Sequence, residues 1–170
     1  MATLTVFKFE TPDGADKGLT LMQNLMKQNL IQVHDAAVVS WPEGARKPHT
    51  RQQTNLKAKG ALDGAFWGML FGLLFFVPLL GMAVGAVMGG LSGHFADYGI
   101  DDRFIKDVRT KVKEGTSALF LLTSGAVVDR VLEEMKKNLP RLELIASNLS
   151  NEQEAKLKAA YGQEAAAPGM

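Results

Sequence analysis

Residues 64–96 read GAFWGMLFGLLFFVPLLGMAVGAVMGGLSGHFA and contain no aspartate, glutamate, lysine or arginine. Such a run is typical of a membrane segment or an oligomer core, because large apolar surfaces mark interaction sites. As one helix it would be about 50 Å long, beyond the roughly 30 Å of a bilayer core. Pro78, closely followed by Gly81, is expected to break it into two helices. We therefore predict a hydrophobic helical hairpin over residues 60–96.

Glycines recur every fourth residue in both halves of this hairpin, which places them along one stripe of each helix. Glycine inside a helix costs about 1 kcal/mol relative to alanine, and close approach of a neighbouring helix compensates for that cost. The pattern predicts a glycine zipper with the helix-packing residues Gly60, Gly64, Gly68, Gly72, Gly81, Gly85, Gly89 and Gly93. The first helix carries a bulky face beside its glycines, formed by Phe66, Trp67, Leu70, Phe71, Leu73, Leu74 and Phe75.

The flanks and the turn of the hairpin indicate its surroundings. Basic residues lie on both outer flanks, which by the positive-inside rule places both flanks and both termini in the cytoplasm. The turn, residues 77–80, has no polar side chain, so we expect it to stop inside a bilayer or to be buried against other copies. The alternative is a hairpin buried in a soluble oligomer, and each version implies self-association.

The sequence on either side of the hairpin predicts an α+β domain. Alternating or continuous apolar runs predict strands at 4–9, 31–41, 117–123 and 142–149, and a short strand at 49–55. Helical spacing predicts helices after Asp13, after Asp101 and from about 125 to Pro140. This order is that of a ferredoxin-like split βαβ sandwich, with helices covering one face of the sheet.

Four segments follow from this organisation. Residues 1–59 form the first half of the α+β domain, and residues 60–96 form the inserted hairpin. Residues 97–160 form the second half, and residues 161–170 are expected to be a flexible tail.

Composition excludes several classes of function. Lysine and arginine number 19 and aspartate and glutamate 18, so there is no basic excess for a nucleic-acid partner. There is no cysteine, which rules out disulfides and thiolate chemistry. The N-terminus lacks the pattern of a signal peptide.

No set of residues predicts an active site, a metal site or a cofactor. His34 and Asp35 are adjacent on a strand, which favours a solvated pair over a shared metal site. His94 and Asp97 lie three residues apart and favour a polar cap at a membrane interface, while Asp63 is expected near the start of the first helix. A pore in which Asp63 and His94 lie near the mouths is the functional alternative.

Four stretches of the chain resemble the bacterial family catalogued as domain of unknown function 1269. They are Asp35–Val39, Gly60–Gly68, Gly99–Lys106 and Ser117–Leu122. The resemblance extends from about Leu4 to Ala160. It implies a membrane protein, and it supplies no catalytic residues.

The preferred hypothesis is a non-enzymatic, self-assembling protein of the bacterial inner membrane, with a scaffolding, membrane-organising or sensory role. Its partners would be further copies of itself and the lipid bilayer. Two alternatives stay open, an oligomeric pore and a soluble oligomer that binds a small regulatory ligand.

Overall fold

The computed structural model describes residues 2–28, 33–52, 64–76, 95, 98–124, 133–134, 136–139, 141–150, 152, 155 and 159. The strands are β1 (Ala2–Phe9), β2 (Val33–Ser40), β3 (His49–Gln52), β4 (Ser117–Ser124) and β5 (Glu143–Leu149). The helices with described bounds are α1 (Gly14–Lys27), α2 (Gly64–Phe71), which continues as a π-helical segment (Gly72–Phe76), and α3 (Asp102–Lys111). Residues 133–134 and 136–138 are helical as well, within the helix predicted from about 125 to Pro140. The α+β prediction is confirmed.

The five strands form one antiparallel sheet in the order β3-β2-β4-β1-β5. The middle strand, β4, pairs with β1 through Val6 and Phe120 and with β2 through Ala37 and Phe120. Its residues Ala118 to Leu122 are at most 1 % exposed. A continuous apolar run is typical of a strand covered on both faces, and this one is confirmed as the centre of the sheet.

Two separate apolar clusters lie on the two faces of the sheet, because neighbouring residues of a strand point to opposite sides. Leu119 and Leu121 face α1. Phe120 and Leu122 face α2, the π-helical segment and α3. The expectation that helices cover one face only is therefore wrong. The first helix of the hydrophobic block fills the face that a two-layer sandwich would leave open.

The start of α1 is packed tightly against the sheet. The Ser117 hydroxyl donates to the Thr11 carbonyl oxygen at 2.7 Å and accepts from the Ala15 amide at 2.8 Å. Asp13 occupies the N-cap position without a side-chain capping bond, and its carboxylate pairs with Lys17 instead, at 3.2 Å. The helix is thus held at this end by a buried serine on the central strand.

Gly14→Ala tests the tight approach of α1 to β1. A Cβ atom at Gly14 would overlap the Phe9 Cβ atom and lie 2.8 Å from Phe9 Cγ. Because Phe9 is anchored in the sheet, we expect the variant to lose about 1–3 kcal/mol in the free energy of unfolding. Chemical denaturation would measure it. Thr20→Ala, at an exposed site of the same helix, is the control and should stay within about 0.5 kcal/mol of wild type. Equal stabilities for the two variants would contradict the close packing.

Only part of the predicted hairpin lies within the described residues. The first helix begins at Gly64, and its regular α-helical turns give way to a π-helical segment at Gly72. The turn and the second helix, apart from Phe95, lie outside the described residues. None of the helices within the described ranges combines the length and the apolar character needed to cross a membrane.

Candidate functional site

The most distinctive feature of the structure is the packing of α2 against the sheet. Its aromatic face is buried, as the bulky stripe in the sequence predicts. The indole of Trp67 stacks on the Phe71 ring at a centroid distance of 5.5 Å. Both rings meet Phe120 of β4 edge-on, at 6.2 and 5.2 Å. Beyond α2, Leu73, Leu74 and Phe75 of the π-helical segment are also buried in this cluster.

One buried carboxylate lies within this apolar contact. Asp35 of β2 is 1 % exposed. Its Oδ2 atom accepts a hydrogen bond from Trp67 Nε1 at 2.7 Å and another from Gln52 Nε2 at 3.2 Å. Its Oδ1 atom accepts from the Ala36 amide at 2.8 Å. The prediction that Asp35 belongs to a solvated pair is wrong, because this carboxylate joins β2, β3 and α2.

A local irregularity in β2 lies directly before Asp35. Asp35 shares its face with Ala37 and Val39 by regular alternation, whereas Val33, before the irregularity, lies in the cluster on the α1 face. Val33 pairs with Thr123 and Asp35 pairs with Leu122, so β2 carries one extra residue, His34, opposite two consecutive residues of β4. An extra residue of this kind re-aims the side chains beside it, as in a β-bulge. The sequence carried one signal of this site, an acidic residue directly before the apolar run Ala36–Val39 of a strand.

The glycine stripe of α2 lies largely outside the buried contact with the sheet, although a Cβ built at Gly64 would lie 3.9 Å from Gln52 Oε1 of β3. Gly64 and Gly68 are exposed and Gly72 is half-buried. Among the described residues, no atom comes within 4 Å of a Cβ built at Gly68 or Gly72. Ala65, on the same side, is exposed as well. This part of the stripe makes no close packing contact within the described part of the chain, and its surface has room for a neighbouring helix.

A second polar feature, which the sequence analysis missed, lies at the far end of β1. The Lys8 side chain is 7 % exposed, and its ammonium donates to Glu10 at 2.7 Å. This hydrogen bond, with the positive charges of Lys8, Lys113 and Arg141, holds the pKa of Glu10 below its ordinary value despite some desolvation. Lys8 lies on a strand that is covered on both sides, by the clusters that contain Val6 and Phe7. Glu10 thus supplies an ion-pair partner for the buried ammonium group of Lys8.

The remaining predicted site residues lie outside the described residues. These are Gly60, Asp63, Gly81, Gly85, Gly89, Gly93, His94 and Asp97. Within the described ranges, no group of three histidine, aspartate or glutamate side chains could hold a metal ion.

The described residues define an α+β protein in which an apolar helix is fixed to an antiparallel sheet through a buried carboxylate. The chain belongs to the family described as Protein of unknown function (DUF1269), whose model matches residues 61–162. The match confirms the family resemblance over the second part of the chain, from just before α2 to beyond β5. No curated protein and no solved structure matches the chain.

Proposed function

We propose that this protein is a non-enzymatic, self-assembling protein of the bacterial inner membrane, with a scaffolding, membrane-organising or sensory role and with both termini in the cytoplasm. The observation that carries the proposal is the orientation of α2. Its aromatic face packs against its own sheet, while Gly64 and Gly68 are exposed, and among the described residues no atom lies within 4 Å of a Cβ built at Gly68. A smooth glycine face allows close approach of another helix.

The membrane part of the proposal rests on the absence of Asp, Glu, Lys and Arg in residues 64–96 and on the basic flanks of that run. In the same proposal, the soluble domain is ferredoxin-like. Without β3, the strand order becomes β2-β4-β1-β5, which is the arrangement of two split βαβ units when every neighbouring pair is antiparallel. The hydrophobic block would then be a glycine-zipper hairpin inserted between the two units.

A soluble oligomer is the second candidate, and a specific observation favours it. Residues of α2 and the π-helical segment lie in the same apolar cluster as Leu4 and Phe120 of the sheet. A hairpin that served only as an anchor would have no need to complete the core of the domain. In this version, the glycine face packs between copies in water, and the sheet-bearing domain binds a small regulatory ligand.

Fractionation of the intact protein separates the two candidates. The membrane proposal expects the protein in the membrane fraction after washes at high salt, and its release only by detergent. Recovery of the protein in the soluble fraction without detergent would refute the membrane location and leave the soluble oligomer. Light scattering of the purified protein then gives the mass of the assembly, and a monomer would refute self-assembly in both versions.

Gly68→Leu tests whether the glycine face carries the assembly. The added side chain would enter the space that a neighbouring helix needs, at a cost of about 1–3 kcal/mol, so we expect association to weaken by about 10- to 100-fold. Concentration-dependent light scattering measures the change. Thr20→Leu adds an equally apolar side chain at an exposed site of α1 and is the matched control. An unchanged assembly in both Gly68→Leu and Gly85→Leu would refute the packing role of the glycines.

A further inference from the structure

Apolar packing alone defines the rotation of α2 only weakly. The sequence of the helix, GAFWGMLF, has no charged residue and is apolar on nearly every side. Apolar burial is non-directional, so it rewards any orientation that covers enough surface. A rotation of α2 about its axis would replace the aromatic contacts with the sheet by contacts from the glycine side. The helix would still place apolar residues on the apolar face of the sheet.

The hydrogen bond between Trp67 and Asp35 is directional, so it forms in only one rotation of α2. Trp67 has the one side-chain N–H donor within α2, and the carboxylate that accepts from it is 1 % exposed. Any rotation that turns Trp67 away from the sheet breaks the hydrogen bond from its indole N–H to the buried Asp35 carboxylate. Loss of a hydrogen-bond donor to a buried carboxylate is unfavourable, so alternative orientations are penalised even where their apolar contacts are adequate.

We propose that Asp35 is a positioning residue, which selects the rotation of α2 and thereby keeps Gly68 on the exposed side of the helix. This inference rests on the proposed function, since it assigns the residue that orients the assembly surface. Asp35 itself contacts no other copy in this arrangement. It acts through Trp67, by holding the aromatic face of the helix on the sheet.

Cysteine labelling measures the rotation of α2 directly, because the natural chain has no cysteine. Ala65→Cys places a thiol on the open side of the helix, and Leu70→Cys places one on the buried side, where the native side chain is 0 % exposed. With Asp35 intact, a maleimide probe should modify the thiol at position 65 rapidly and the thiol at position 70 slowly. The ratio of the two rates, followed by mass spectrometry, reports the orientation of the helix.

Three changes at the Asp35 contact give the test. Asp35→Leu is expected to lower the rate ratio by about tenfold or more, which corresponds to a loss of ~1.4 kcal/mol in orientational preference. Asp35→Asn keeps a side-chain oxygen that accepts from Trp67, so it should retain most of the ratio. The double variant Asp35→Leu with Trp67→Phe should show a similarly lowered ratio of labelling rates. If Asp35→Leu alone does not fold, the double variant is used in its place.

Several outcomes would overturn the inference. A rate ratio that is unchanged in both Asp35→Leu and the double variant would mean that apolar packing alone orients the helix. A ratio lost equally in Asp35→Asn would mean that the hydrogen bond is not the selecting contact. The labelling is measured at concentrations that favour the smallest species, so it reports the orientation whether or not copies associate. A monomeric wild type with a high, Asp35-dependent ratio would refute self-assembly and leave the orienting role intact.

Discussion

Phe120→Ala is expected to lower the free energy of unfolding by about 3–5 kcal/mol. Phe120 is 0 % exposed on the central strand β4, between Val6 of β1 and Ala37 of β2. Its ring supports both Trp67 and Phe71 of α2 in edge-to-face contacts. Truncation would open a cavity that the paired strands cannot close, and it would remove the contacts that seat α2. Urea or guanidinium unfolding of purified protein measures the loss.

Leu119→Ala is the matched control for this prediction. Leu119 is the adjacent residue of β4, equally buried, but it lies in the cluster on the α1 face. Its truncation should cost about 2–5 kcal/mol, so stability alone will not separate the two variants. Trp67 fluorescence, read in a Trp41→Phe background, should change in Phe120→Ala and stay as in wild type in Leu119→Ala. Equal Trp67 fluorescence spectra for the two variants would contradict the packing of α2 on the face of the sheet that carries Phe120.

Local patterns were sufficient to predict most of the individual elements. The continuous apolar run at 117–123 identified β4, and the alternation from Leu4 to Phe9 identified β1. Asp101 or Asp102 was expected to cap the helix that follows, and the Asp101 side chain accepts from the Phe104 amide at 2.9 Å. These features depend on a few neighbouring residues, so the sequence carries them directly.

The assembly of the candidate site was not predictable in the same way. Trp67 and Asp35 are separated by 32 residues, and their contact depends on α2 returning to the sheet of its own chain. The hydropathy of α2 does not distinguish burial against a sheet from burial in lipid or between copies, since each environment excludes water. Alternation with Ala37 and Val39 gives the face of Asp35 in β2, but it does not give the partner on α2 that the carboxylate meets there.

Trp67→Phe, which breaks the hydrogen bond between Trp67 and Asp35, is expected to lower the free energy of unfolding by about 2–4 kcal/mol. The change keeps an aromatic ring beside Phe71 and Phe120 but removes the N–H that donates to Asp35 at 2.7 Å. The buried carboxylate would keep the bonds from Gln52 and Ala36 and would lose the bond from Trp67. Calorimetry or denaturant unfolding measures the change.

A double-mutant cycle separates the hydrogen bond from the loss of ring size. Asp35→Leu alone leaves the indole N–H buried without this acceptor, whereas the double variant removes both partners and replaces them by apolar groups. We therefore expect the double variant to be more stable than the sum of the single losses implies, with a coupling of about 1.5–3 kcal/mol. Trp67→Phe in the Asp35→Leu background then reports the change in ring packing together with the relief of the indole N–H that has lost this acceptor. Strict additivity would mean that Asp35 and Trp67 are neighbours without being energetic partners, and the rotation of α2 would have to be set by its apolar surface.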